Sequence, residues 1–411
     1  MRSYWQGFRW LQTLARHDAL FVIKGRALPW WVRLLCAGLA IGWGRQTTPR
    51  RREGERLCAA LVAMGASFIK LGQVLSVRPD FVGDAMADDL KLLLDRLPDF
   101  AVTPALLASY FDKPIAETFA DFDWAPVASA SIAQVHRATT LDGTPVAVKL
   151  LRPGIREQFA RDEKVLRFFA TKLDQRGNRI VRKLHLLDVV DTWRKWTLEE
   201  TNLRYEAAAA DLLRMNLAGE ERFHIPEVYW MLATGDALVL EWIDGVKITD
   251  TETLIAWGID PRQLLQRAIE VFFLQVFRDG FFHADIHPGN LFVTRDGTLV
   301  PIDFGIMGRL PVALRYQLAE LLVGFVERDY DRVARVYVRA GFVPPGTSEE
   351  ELAQACRAIG EPLFGVDLDK ASFARLLLEV ISLTRQFQIE LQVQMLLLQK
   401  TMIQAEGLGH L

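Results

Sequence analysis

Residues 282–290 read Phe-His-Ala-Asp-Ile-His-Pro-Gly-Asn, and residues 302–305 read Ile-Asp-Phe-Gly. Between them, residues 291–294 and 298–302 are two short apolar runs joined by Asp296-Gly297. Asp-Gly between alternating apolar segments is a strong hairpin signal, and two residues suffice for the loop. The pattern therefore predicts a β-hairpin flanked by Asp285 and Asn290 on one side and Asp303 on the other. No simple bundle or plain parallel sheet accounts for that arrangement. It sets one carboxylate, Asp285, where a hydroxyl or water must lose a proton. It also offers two hard oxygen donors, Asn290 and Asp303, to Mg²⁺.

A second constellation lies upstream. Residues 145–151 form a predicted buried strand that carries Val146-Ala147-Val148-Lys149, just after the turn Asp142-Gly143. A lysine there is a point cation suited to the inner phosphates of a nucleotide, and a nearby helical acid must hold it in position. Glu199, Glu200 and Glu206 are the acids available on the following helical stretch. The phosphate-covering turn should precede the lysine, and it reads Val127-Ala128-Ser129-Ala130-Ser131-Ile132-Ala133-Gln134-Val135. It has no glycine. Small side chains still let backbone N–H groups approach phosphates, but alanine avoids positive φ, so the loop should be stiff and differently shaped.

Order along the chain supports a two-lobed body of the protein-kinase-like α+β class with an N-terminal helical extension. Residues 57–75, 85–97 and 104–120 read as helices of the extension. Strands are expected at 127–136, 145–151, 225–232 and 237–242, with helices at 156–174 and 184–217. After Asp244-Gly245 the chain is mainly helical apart from the hairpin. The divisions are residues 1–56, 57–125, 126–245 for an ATP-binding lobe, and 246–411 for a helical lobe with the hairpin. From Ile306 to Leu322 there is no Ser or Thr, only Tyr316, and Ala284 precedes Asp285. A phosphorylation-switched platform for peptides is therefore not expected.

Charge and composition narrow the partners. With 49 Lys and Arg against 51 Asp and Glu, the near-neutral balance points to no nucleic acid partner. Cys36, Cys58 and Cys356 lack metal or disulfide spacing, as do the histidines for zinc. Residues 1–56 hold eleven Lys or Arg against three acids, and five of the eleven tryptophans, Trp5, Trp10, Trp30, Trp31 and Trp43. Such a segment suits an anionic membrane surface, or equally an amphipathic helix docked on the body with a solvated basic face. No run of eighteen uncharged apolar residues spans a membrane, and residues 27–44 come nearest but contain Pro29 and Arg33.

Taken together these motifs resemble the UbiB family of atypical kinase-like proteins, its bacterial members in particular. The resemblance runs over about residues 60–410. It rests on Lys70-Leu-Gly-Gln73, Ser76-Val-Arg78-Pro-Asp80, Ala128-Ser-Ala-Ser-Ile-Ala-Gln-Val-His136, Val146–Lys149, Glu200-Thr-Asn202, residues 271–290, Asp303-Phe-Gly305 and residues 396–409. It implies an ATP- and Mg²⁺-dependent kinase or ATPase that supports aerobic ubiquinone biosynthesis, acting on hydroxylation or modification of polyprenylphenol precursors. It implies quinone-biosynthesis enzymes as partners, at the cytoplasmic face of the bacterial inner membrane. By the same resemblance Asp285 accepts the proton, residues 127–135 with Lys149 bind ATP, Glu200 pairs with Lys149, and Asn290 and Asp303 bind Mg²⁺. Lys70 and Gln73, one helical turn apart, would point into the cleft where a peptide would otherwise sit. The chain stops at Leu411, where family members usually continue into membrane-spanning helices, so a peripheral form is expected. A non-catalytic ATP-binding scaffold and a small-molecule kinase of the aminoglycoside-phosphotransferase type are the competing readings.

Overall fold

The structure, a computed structural model, describes residues 2–22, 52–76, 82–91, 93, 97–176, 186–286, 288–344, 346–364, 395, 397, 398, 401 and 402. Cys36, Trp30, Trp31, Trp43, Arg78-Pro79-Asp80, His287 and most of residues 396–409 lie outside them. The chain divides into two compact units, residues 1–205 with 228–242, and residues 206–227 with 243–411.

The first unit is built on an antiparallel sheet. Strands β1 (Phe119–Phe122), β2 (Ala128–Ser129), β3 (Ala133–Thr140), β4 (Pro145–Leu151) and β5 (Ala237–Glu241) follow the order β1-β3-β4-β5, with β2 also on β3. Period-two alternation sends Val146, Val148 and Leu150 of β4 into a core with Val239, where Leu107, Phe111, Phe119 and Phe122 also pack. The helix Pro104–Phe111 supplies part of that core, started by Thr103, whose hydroxyl caps Leu106 N. Three readings change here. Residues 119–122, the first two of them expected to end the helix 104–120, are a bulged strand whose ends alone are buried, so no period was visible. Residues 225–232 make a single bridge at Val228 and then a helical turn, because Pro226 has no N–H for a ladder. The expected helix 184–217 is two helices, Leu186–Glu200 and Leu203–Asn216, since Asn202 turns its side-chain oxygen to Arg204 N and starts the second.

The extension forms its own core from helices Glu53–Met64, Ala66–Ser76 and Asp84–Lys91, with Leu57, Leu61, Phe68, Ile69 and Leu90 buried together. Gly65 interrupts what the apolar period presents as one helix. The N-terminal helix Arg2–Arg16 docks on the same unit: Trp10 meets Phe68 edge-on at 4.7 Å and Gly7 lies against Phe169. Its Arg9, Arg16 and Trp5 stay exposed. For these residues the docked helix is what the structure presents. A buried polar knot ties the helices together. Asp162 accepts from Gln6 Nε2 and from the Ser67 hydroxyl, and Trp193 Nε1 donates to Ser67 O at 3.0 Å.

In the second unit, β6 (Gly245–Lys247), β8 (Leu291–Thr294) and β9 (Leu299–Pro301) form one sheet, and β7 (Phe281–His283) pairs with β10 (Met307–Arg309). The predicted hairpin is β8–β9, but its loop has three residues. Thr294 N bonds Thr298 O, and Gly297, at φ 84°, bonds Thr294 O. The turn Thr140-Leu141-Asp142-Gly143-Thr144 is made the same way, with Gly143 at φ 90°. In both, the first threonine hydroxyl bonds the aspartate and holds its carboxyl below the usual range. Only glycine tolerates that φ freely, which favours a type I turn with a bulge over a two-residue loop. Helices Val312–Val326, Tyr330–Arg339 and Glu349–Phe364 close a core with Phe282, Phe325, Tyr337, Leu398 and Met402. Among the described residues no helix is long and apolar enough to cross a membrane.

Asp162 yields a signed pH test. Burial raises its pKa above the ordinary 3.8 against the hydrogen bonds it accepts. A carboxyl with a raised folded pKa stabilises the fold below its unfolded pKa, and that contribution is lost as pH rises through the folded value. Relative to wild type, Asp162→Asn should therefore gain stability as pH rises from about 4 to about 7, read as the difference in urea midpoints.

Candidate active site

The second unit gathers three of the expected site residues at one end of its hairpin. β7 delivers His283 and then Asp285, and β10 holds that segment through the Met307–His283 pair and the Ala284 N to Ile306 O bond at 3.0 Å. Asn290 ends a helical turn just before β8. The register Leu291–Pro301 and the bond Ile302 N to Asn290 O at 3.0 Å place Asn290 beside the exit of β9, where Asp303 follows. Two oxygen-bearing side chains thus leave the same end of one rigid ribbon. Among the described residues no cluster of three or more His, Cys, Asp or Glu could hold a metal by itself. An amide and one carboxylate, with phosphates and water completing the shell, are the donor set that suits Mg²⁺.

His283 connects the two acids. Its ring is buried, and Nδ1 accepts the Asp285 N–H at 3.1 Å while Nε2 faces Asp303 O at 2.5 Å. A backbone N–H only donates and a carbonyl only accepts, so the ring is neutral with its proton on Nε2. The His283 N–H is in turn taken by Gln275 Oε1 at 2.9 Å, from a π-helical turn at Leu274–Asp279. The Asp303-Phe304-Gly305 backbone has further anchors. Glu206, buried, accepts Phe304 N at 3.3 Å, and the Asp303 carboxylate accepts Gly305 N at 3.2 Å. From Gly305 the chain enters β10 at once and a helix by Val312, leaving no room for a long activation segment.

The first unit holds the others. Lys149, half-buried on β4, pairs with Val135 on one side and Leu238 on the other, so it stands on the central strand, on the face it shares with Val135. Residues 127–135 fold as a tight β2–β3 ribbon closed by Val127 N to Val135 O and Ala130 N to Ala133 O, each 2.8 Å. None has a positive φ. The Ser131 hydroxyl is buried with no protein partner among the described residues. An orphaned donor in a small-residue turn fits an anionic ligand. The buried Gln134 amide accepts Phe100 N and donates to Phe100 O, each at 3.0 Å, and bonds His136 Nε2 at 2.9 Å, so both its N–H groups are engaged within the protein.

Lys70, on helix Ala66–Ser76, forms an ion pair with Glu200 at 2.8 Å, and both side chains are under 10% exposed, at 8% and 7%. The resemblance implies that Glu200 pairs with Lys149, and Glu200, at the last turn of helix Leu186–Glu200, makes an ion pair with Lys70. Gln73, one turn from Lys70, has its Oε1 buried without a partner among the described residues. Glu206 was read only as one available acid, and its burial against Phe304 had no local signal in the sequence.

Comparisons with known proteins show a family for the chain. The model of the ABC1 atypical kinase-like domain matches residues 93–337 and that of the UbiB helical domain residues 356–411. A "Probable protein kinase UbiB" of Azotobacter vinelandii is 41% identical over 393 residues, covering 93% of this chain and 72% of that protein. One from Pseudomonas putida is 41% identical over 409 residues, covering 98% and 76%. Among solved structures, Rv3197 of Mycobacterium tuberculosis, in complex with erythromycin, aligns with TM-score 0.52 and 25% identity over 82% of this chain and 90% of that one.

Breaking the Lys70–Glu200 pair takes its close counter-charge from a buried ionised group. Lys70→Met or Glu200→Leu alone should cost about 3–5 kcal/mol, while the double substitution should recover most of it. Urea denaturation of the three variants measures this.

Proposed function

Because the chain belongs to the ABC1 family of atypical kinase-like proteins, we propose that it binds Mg-ATP and transfers or hydrolyses the terminal phosphoryl group in support of ubiquinone biosynthesis. The observation that carries this reading is the single imidazole of His283 anchoring the backbones of Asp285 and Asp303, with Asn290 at the same end of the hairpin. Asp285 takes the proton of the attacking water or hydroxyl. The oxygen of that water or hydroxyl bonds to phosphorus as the bond to the ADP oxygen breaks. Asn290 and Asp303 would hold Mg²⁺, which when bound neutralises charge on the phosphate oxygens. Lys149 would take the inner phosphates, and residues 127–133 would supply small side chains and backbone N–H groups.

The acceptor is not a docked peptide. Support comes from the short passage from Gly305 to Val312 and from Lys70 and Gln73 in a buried helix. ATP turnover coupled to handling of polyprenylated phenols, beside enzymes that hydroxylate or otherwise modify them, fits these features. The exposed Arg9, Arg16 and Trp5 of the N-terminal helix fit a peripheral site on an anionic inner-membrane surface, facing the cytoplasm.

Mg-ATP hydrolysis by the purified chain with anionic liposomes tests the reading. Asp285→Asn should lower turnover about 10²–10⁴-fold while ATP still binds. Asp303→Asn should raise the Mg²⁺ concentration needed for half-maximal rate. Undiminished turnover in Asp285→Asn would sink the catalytic role, and binding without turnover in the wild type would favour a nucleotide-binding scaffold.

A further inference from the structure

A loop without glycine cannot reach its shape through backbone freedom, so something outside it must impose that shape. In residues 127–135 this is done by a three-residue strap, Pro98-Asp99-Phe100, and one arginine. Pro98 O accepts Arg152 Nη2 at 2.8 Å. The Asp99 carboxylate accepts the Ser129 hydroxyl. Phe100 exchanges two hydrogen bonds with the Gln134 amide, each 3.0 Å, and its ring lies 5.1 Å from the Arg152 guanidinium. Arg152 grips the turn at the same time. Its backbone N donates to Ile132 O at 2.7 Å and its Nε to Ser131 O at 3.2 Å.

The consequence follows from peptide geometry. In a trans peptide the C=O and N–H of one unit point in opposite directions. With the carbonyls of Ser131 and Ile132 turned to Arg152, the N–H groups of Ile132 and Ala133 are turned away from it. Two consecutive amides aimed to one side form an anion-binding concavity, and the unpartnered Ser131 hydroxyl belongs to the same turn. We propose that Arg152, acting with the Pro98-Asp99-Phe100 strap, is the positioning residue that presets the phosphate-binding turn and so sets nucleotide affinity without touching the nucleotide. This rests on residues 127–135 binding ATP.

The test separates affinity from turnover. Arg152→Lys keeps a cation, but a single ammonium cannot replace a planar fork that serves Ser131 and Pro98 together. Its dissociation constant for ATP, read by displacement of a fluorescent nucleotide, should rise about tenfold while kcat at saturating Mg-ATP stays within about twofold. Asp99→Ala is an exposed change, expected to raise it about threefold with the melting temperature nearly unmoved. Ser129→Ala should match that rise, and the double variant should add nothing, because both remove one bond. Unchanged ATP affinity across Asp99→Ala, Ser129→Ala and Arg152→Lys, or a fall in kcat alone, overturns the proposal. If Arg152→Lys does not fold, the Asp99→Ala and Ser129→Ala variants decide. Failure of the wild type to bind ATP removes the nucleotide reading itself, and this proposal with it.

Discussion

The imidazole of His283 has one proton and two backbone partners, and its protonation state follows from what those partners are. Asp285 N–H needs an acceptor and Asp303 O needs a donor. Only the neutral ring with Nε2–H satisfies both, and its burial keeps water from competing. Two acids 18 positions apart in sequence are thereby held at one place by a single small side chain. Gln275 fixes the strand that carries the ring, and Glu206 fixes the residue after Asp303. Each support is a buried polar side chain spent on a backbone atom.

The first unit handles the opposite sign of charge. Its buried Lys70–Glu200 pair is expensive to desolvate and is tolerated because the two partners sit at 2.8 Å on helices already locked together by Trp193 and Ser67. Asp162, on helix Ile155–Arg176, adds a third buried ionisable group, this time against the Ser67 hydroxyl and the Gln6 amide of two other helices rather than a cation. A well-packed apolar seam would have been a simpler way to join these helices. Retaining ionisable groups there fits a helix whose Lys70 and Gln73 have a task beyond packing.

What the sequence discloses depends on how far apart the interacting residues lie. The β8–β9 hairpin, the lysine on β4 and the position of Asn290 are encoded within about ten residues each, through turn chemistry and period-two burial. The repeated Thr-x-Asp-Gly-Thr turns were equally local, and their three-residue geometry could have been read from the flanking threonines. Residues 119–122 were missed because a short bulged edge strand buries only its ends. The partner of Lys70 is 130 positions away and that of Ser129 is 30 away. No period or spacing marks such pairs, and three glutamates competed for one lysine on equal terms. The burial of Glu206 against Phe304 is a property of the folded chain.

The glycine-free turn shows how local and distant encoding combine. Alanine and serine at 128–131 specify small side chains on a backbone with no positive φ, which is a local instruction. That instruction leaves the direction of the peptide planes open. Arg152 and the strap close the choice from outside by taking the carbonyls of Ser131 and Ile132. A glycine loop reaches an anion by flexing and loses entropy when it does so. A turn whose carbonyls are already committed has no such reorganisation left to make, which is the condition under which fixed dipoles act most strongly on a developing charge.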